Sequence, residues 1–134
     1  MAKWNAFEFM TRDVYCARPE MTLRELTREL VLHKVTGAPV VDEEKRLVGV
    51  VSLTDVAVDA TQQADASART VQEIMQRHVI SVSVGAGLTT VVDLFKTHRV
   101  HRLIVTHDDR VCGVLSPLDL LDAILERVGY PQAF

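Results

Sequence analysis

The feature that most narrows what this chain can fold into is that it carries one pattern twice. Sliding the sequence against itself sets FEFMTRDV (7 to 14) over QEIMQRHV (72 to 79) at an offset of 65 residues. At that offset Glu8 meets Glu73, Met10 meets Met75, Arg12 meets Arg77, Val14 meets Val79, Leu23 meets Leu88, His33 meets His98, Val35 meets Val100 and Val40 meets Val105. One residue then drops out. At an offset of 64, LVGVVSLTDV (47 to 56) lies over VCGVLSPLDL (111 to 120), pairing Gly49 with Gly113, Ser52 with Ser116 and Asp55 with Asp119. A fixed-period repeat marks a supersecondary unit that buries its apolar face against its neighbour. The expectation is one globular module of two motifs: residues 1–65, with an N-terminal segment and a connector, and residues 66–134.

Both copies show the same order of elements. Thr22 followed by Glu25 forms a capping box, in which hydroxyl and carboxylate each satisfy an orphan backbone N–H, so a helix starts there. Its apolar residues Leu23, Leu26, Leu30 and Val31 fall on one helical face, as do Leu88, Val91, Val92 and Phe95 in copy two. Two short β-branched runs follow, APVVD and RLVGVVS in copy one, RLIVTH and RVCGVLS in copy two, split by the charged turns EEK and DDR; they read as strands. Ser52 and Ser116 are N-caps of a further helix, and Pro117 sits where a missing N–H costs nothing. Each copy is therefore strand, helix, strand, strand, helix, an α/β (α+β) fold with pseudo-twofold character. The polar stretch QQADASAR (62 to 69) is the expected connector.

Composition sets outer bounds. The chain has 134 residues, of which 48% are hydrophobic and 25% charged, with few Pro and Gly, as in a folded globular protein. A net charge of −3 argues against a dedicated nucleic-acid surface. Cys16 and Cys112 stand one in each half with no Cys-x-x-Cys spacing, which fits a reducing compartment and no zinc site. The start MAKWNAF lacks the apolar run of a signal peptide, and no stretch approaches a membrane span, so the expected location is cytoplasmic. His98 and His101 lack the further ligands that zinc requires. Nucleophile elbow, Walker loop, dinucleotide fingerprint and zinc-protease motifs are all missing, and the duplicated elements fill nearly the whole chain, so no enzyme is expected.

The segments GAPVVDEEKRLVGVVSLTDV and HRVHRLIVTHDDRVCGVLSPLDL resemble the CBS-domain family, named after cystathionine beta-synthase. Both carry its pattern of glycine, two apolar residues, Ser or Thr, two variable residues and Asp. The resemblance implies a paired unit, a Bateman module, whose inter-motif clefts bind AMP, ADP, ATP or S-adenosylmethionine as a regulatory ligand, with no other cofactor. On this reading Ser52, Thr54 and Asp55 in copy one, and Ser116 and Asp119 in copy two, are ligand-binding residues.

The chemistry is consistent with that implication. A helix N-terminus offers free N–H groups and positive potential to a phosphate. An ionised Asp accepts hydrogen bonds from vicinal ribose hydroxyls. Ala38, Pro39 and Val40, and Leu103 and Ile104, are the expected adenine slots. The segment KTHRVHR (96 to 102) resembles the basic stretch in the gamma subunit of AMP-activated protein kinase, which makes His101 and Arg102 phosphate-contacting candidates. Copy one has Thr36 and Gly37 there, so the two clefts are expected to be unequal.

Three simpler readings stand beside these. Ser-x-x-Asp is also a plain capping box, so the fold could serve as a ligand-free structural or dimerisation module. Lys96, His98 and Arg99 complement a helix C-terminus. Nucleic-acid binding through residues 96–102 is a further alternative that the acidic balance disfavours. Finally, the last helix, LDLLDAILERV (118 to 128), is apolar at 118, 121, 125 and 128 and again at 120 and 124, wider than one core-facing stripe. That extra surface predicts a homodimer, with a regulated partner protein still to be identified.

Overall fold

In the computed structural model, which describes residues 4–62 and 68–128, the chain runs α1 (Ala6–Phe9), α2 (Leu23–Leu32), β1 (Gly37–Val41), β2 (Leu47–Ser52), α3 (Leu53–Gln62), α4 (Val71–Ile74), β3 (Ser81–Ser83), α5 (Leu88–His98), β4 (Leu103–His107), β5 (Arg110–Leu115) and α6 (Pro117–Val128). Mixed helix and strand content in a duplicated order is what the repeat implied. Residues 63–67 of the expected connector lie outside the described residues. None of the described helices is long and apolar enough to cross a membrane.

Local chemistry sets most boundaries. The Glu25 N–H donates to Thr22 Oγ1 at 3.1 Å, and Glu25 Oε1 accepts from the Thr22 N–H at 3.4 Å, closing the capping box of α2. His33 caps its C-terminal end, with the ring stacked on Tyr15 at 4.5 Å and Nδ1 2.8 Å from the Glu29 carbonyl oxygen. That is a packing and capping role. Burial, with Glu29 adding to it, pushes the Tyr15 phenol up to about 12.

The first strand differs between the copies. In copy two, β3 pairs in parallel with β4 over three residues, and the Val84 N–H continues the ladder to Thr106 O at 2.9 Å. In copy one only Ala17 bridges Val40, through Ala17 N–H to Pro39 O and Val41 N–H to Ala17 O. The residue aligned with Val84 is Pro19, which has no N–H to give, so the ladder stops there.

The chain folds as two compact units, one of residues 14–79 with 109–111, the other of residues 1–13, 80–108 and 112–134. This partition cuts across the repeat, because each copy's leading segment belongs to the other copy's unit. In the unit of residues 14–79, the Val71 N–H donates to Met21 O, Gln72 N–H to Pro19 O, and Gln76 exchanges both backbone bonds with Val50. In the other unit the aligned bonds recur: Ala6 N–H to Ala86 O, Phe7 N–H to Val84 O, and Thr11 paired with Val114. Each unit has its own core. Leu23, Leu26, Leu30, Ala38, Val40, Val51 and Val71 fill one. Phe9, Met10, Val82, Val91, Leu103, Val105, Leu115 and Leu120 fill the other.

A glycine makes each segment fit. A Cβ built on Gly113 would lie 2.6 Å from Met10 Sδ and 2.7 Å from the Thr11 carbonyl oxygen. On Gly49 it would lie 2.9 Å from both Met75 Sδ and the Gln76 carbonyl oxygen. A thioether can swing aside, but a hydrogen-bonded carbonyl cannot. Gly113→Ala is expected to lower stability by about 1–3 kcal/mol, the usual cost of overpacking, and Gly49→Ala similarly, both measurable by urea denaturation.

Asp59, on α3, is the buried charged residue of the described chain, 5% exposed. It accepts three hydrogen bonds from Arg69, Nη2 donating to Oδ1 at 2.8 Å and Nε shared between Oδ1 at 3.2 Å and Oδ2 at 3.3 Å, and Arg69 also reaches Glu73 at 3.8 Å. This bidentate pair fixes the residues just before α4. Removing one partner of a buried pair strands the other charge. Arg69→Met is therefore expected to lower the thermal midpoint more than the double replacement Asp59→Val/Arg69→Met does, as read by differential scanning fluorimetry.

Candidate functional site

The strand-to-helix junctions after β2 and β5 hold most of the polar residues singled out by the sequence. In the first, the Ser52 N–H donates to Asp55 Oδ2 at 2.9 Å and the Asp55 N–H donates to Ser52 Oγ at 3.2 Å. The second repeats this: Ser116 N–H to Asp119 Oδ2 at 2.9 Å, Asp119 N–H to Ser116 Oγ at 3.2 Å. Both are true capping boxes, and Pro117 opens α6 as its position allowed. Each box holds a carboxylate half-buried at a helix N-terminus, where the exposed N–H groups favour negative charge.

The two carboxylates are not equally engaged. Asp55 takes two further hydrogen bonds, from Ser52 Oγ at 3.1 Å and from Gln76 Nε2 at 3.3 Å. Asp119 accepts only from the Ser116 N–H, leaving Oδ1 without a protein partner among the described residues. Thr54 is exposed on the first turn of α3.

The basic candidates stand apart from these bonds. His101 and Arg102 lie between α5 and β4, both exposed, and their side chains make no hydrogen bond or ion pair among the described residues. Arg99 ends α5 in the left-handed conformation at φ 51°, with Lys96 and His98 in the last turn, a placement suited to the negative end of the helix dipole.

The apolar candidates are placed inside. Val40 and Leu103 are 0% exposed and belong to the two cores, while Ala38, Pro39 and Ile104 are buried with only small exposed edges. A ring resting there would meet the edges of Ala38 or Ile104, not Val40 or Leu103. Among the described residues no group of three or more His, Cys, Asp or Glu is placed to hold a metal ion.

A duplicated module with a Gly-x-x-Ser-x-x-Asp junction in each half defines a class, and comparison with known proteins gives it a name. The chain belongs to the CBS domain family, whose model matches residues 6–58 and again 71–126. It is 31% identical over 124 residues to an uncharacterized protein of Methanocaldococcus jannaschii, covering 92% of this chain and 40% of that one. It is 30% identical over 129 residues to inosine-5'-monophosphate dehydrogenase of the same organism, covering 96% of this chain and 24% of the enzyme. The chain thus spans less than half the length of these curated relatives. Among solved structures it is similar to CBSX2 in complex with AMP, at 25% identity and TM-score 0.80, covering 92% of this chain and 97% of that one. The CBS domain pair of protein MJ0100, in complex with 5'-methylthioadenosine and S-adenosyl-L-methionine, shares the fold at 22% identity and TM-score 0.77, covering 94% and 99%.

Sequence reasoning anticipated the capping bonds within both Ser/Asp pairs. It missed Gln76, which meets Asp55 across 21 residues of chain. The alignment of Gln76 with Thr11 was the available signal.

Proposed function

We propose that this chain is a regulatory module that binds an adenosine nucleotide (AMP, ADP, ATP or S-adenosylmethionine) at its strand-to-helix junctions and relays that binding to a partner protein. The observation that carries the reading is Asp119: a half-buried carboxylate at a helix N-terminus with one oxygen left for a ribose hydroxyl. Ser116 Oγ accepts from the Asp119 N–H and has its proton available as a donor, and the exposed side chains of His101 and Arg102 suit phosphate. The AMP complex of CBSX2, a protein of the same family and fold, supports the ligand class. A binder without catalysis is the reading that a chain made almost wholly of two CBS motifs favours. Cys16 and Cys112, half-buried and one in each half of the sequence, suit a reducing cytoplasm.

A nucleotide at 100 times its Kd should stabilise the folded state by about 2.7 kcal/mol. AMP, ATP and S-adenosylmethionine are each expected to be tested by thermal shift, with at least one raising the midpoint and Asp119→Ala cancelling that rise. No movement with any adenosine compound would defeat the reading. It would leave the ligand-free alternative, which one observation favours for the first junction: the Asp55 carboxylate is already bonded by Ser52 and Gln76.

We further infer that two chains associate through α6. Leu118 and Leu121 are 66% and 50% exposed while Leu120 is buried against the core, so the helix is apolar on its outer side as well. The side chain of Val128, counted with this surface in the sequence, lies outside the described residues. Leu118→Asp/Leu121→Asp is expected to halve the mass seen by analytical ultracentrifugation without lowering helix content.

A further inference from the structure

Gln76 and Thr11 occupy matched places in the two units. Gln76 exchanges backbone bonds with Val50, 2.9 and 2.8 Å, beside Gly49; Thr11 does the same with Val114, 2.8 and 3.0 Å, beside Gly113. The backbone at these positions is alike, so the side chain alone distinguishes them. The Gln76 amide is long enough to donate to Asp55 Oδ1, the carboxylate oxygen that the capping box leaves over. The Thr11 side chain makes no hydrogen bond among the described residues, and the corresponding oxygen of Asp119 is left open. The serines follow suit. Ser52 Oγ gives its proton to Asp55, whereas Ser116 Oγ gives its proton to no described group.

We propose that Gln76 is a built-in competitor for the ribose-binding carboxylate of the first junction, and that it sets the order in which the two junctions fill. The inference rests on the nucleotide reading above and adds to it which junction binds first and why. An amide N–H and a sugar hydroxyl are both hydrogen-bond donors, and they compete for the same Asp55 lone pairs. Ligand entering there must first break the Gln76 bond, whereas at Asp119 it meets an acceptor with nothing to displace. Gln76 is exposed, so its side chain is free to swing into solvent when displaced.

The test is isothermal titration of the full chain with AMP, using wild type, Gln76→Thr, Asp55→Ala and Asp119→Ala. Gln76→Thr installs the residue that copy two's junction already tolerates at the matched place, so the backbone pairing with Val50 is preserved. Wild type should show a tighter site removed by Asp119→Ala and a weaker one removed by Asp55→Ala. Gln76→Thr should tighten only the weaker site, by about three- to tenfold, the net worth of an ordinary solvent-exposed hydrogen bond. In a parallel two-dimensional 15N–1H spectrum, the Gln76 side-chain NH2 signal should stay put through the first binding step and move during the second. If both sites bind AMP but Gln76→Thr changes neither constant, or if the NH2 signal moves in the first step, the competitor role is overturned while the nucleotide reading stands. If no variant binds AMP, ATP or S-adenosylmethionine in the same titration, the nucleotide reading itself fails, and the competitor role with it.

Discussion

The rest of the structure depends on a close contact between a glycine and a borrowed length of backbone. β2 and β5 each need a neighbour to take up the N–H and C=O groups of Val50 and Val114, since unpaired backbone groups in a folded interior are costly. Gln76 supplies that neighbour in one unit and Thr11 in the other. The approach works because Gly49 and Gly113 have no Cβ to collide with the incoming carbonyl. Met75 and Met10, adaptable in shape, fill the space beside each glycine. The C-terminal ends of β2 and β5 are thereby held, and there stand the serines and aspartates of the two junctions.

Local rules made much of the fold legible. The Thr22–Glu25 box, the helix-start proline and serines, and the alternation within the strand runs all depend on residues a few positions apart, which a reader of sequence can check directly. The leading strand expected in copy one is not formed: the missing N–H of Pro19 accounts for a strand in copy two that shrinks to one bridge in copy one. The leading segments were visible as aligned text, Met10 over Met75. Which copy each would dock against was not, because either segment matches either glycine in kind.

The same distinction divides the site. Ser52 with Asp55, and Ser116 with Asp119, lie three residues apart and announced themselves through a repeated pattern. Gln76 meets Asp55 only once the segment carrying it has docked, so no local spacing reveals the pair. The apolar candidates show the opposite difficulty. A β-branched strand start looks the same whether it faces a ligand or a core, and Val40 and Leu103 were taken by their cores. His101 and Arg102 are exposed, and among the described residues no side chain bonds to them.

The traded leading segments carry a consequence for how such a chain can be cut or joined. Half of it, made alone, would begin with a segment suited to a glycine-lined edge and end with such an edge of its own left bare. Two identical halves could complete each other only by reciprocal exchange, a bimolecular event that weakens on dilution. Joining them in tandem turns that event into an intramolecular one at a high effective concentration. The covalent link therefore acts as a concentration device, and the smallest piece that folds without regard to dose is the pair.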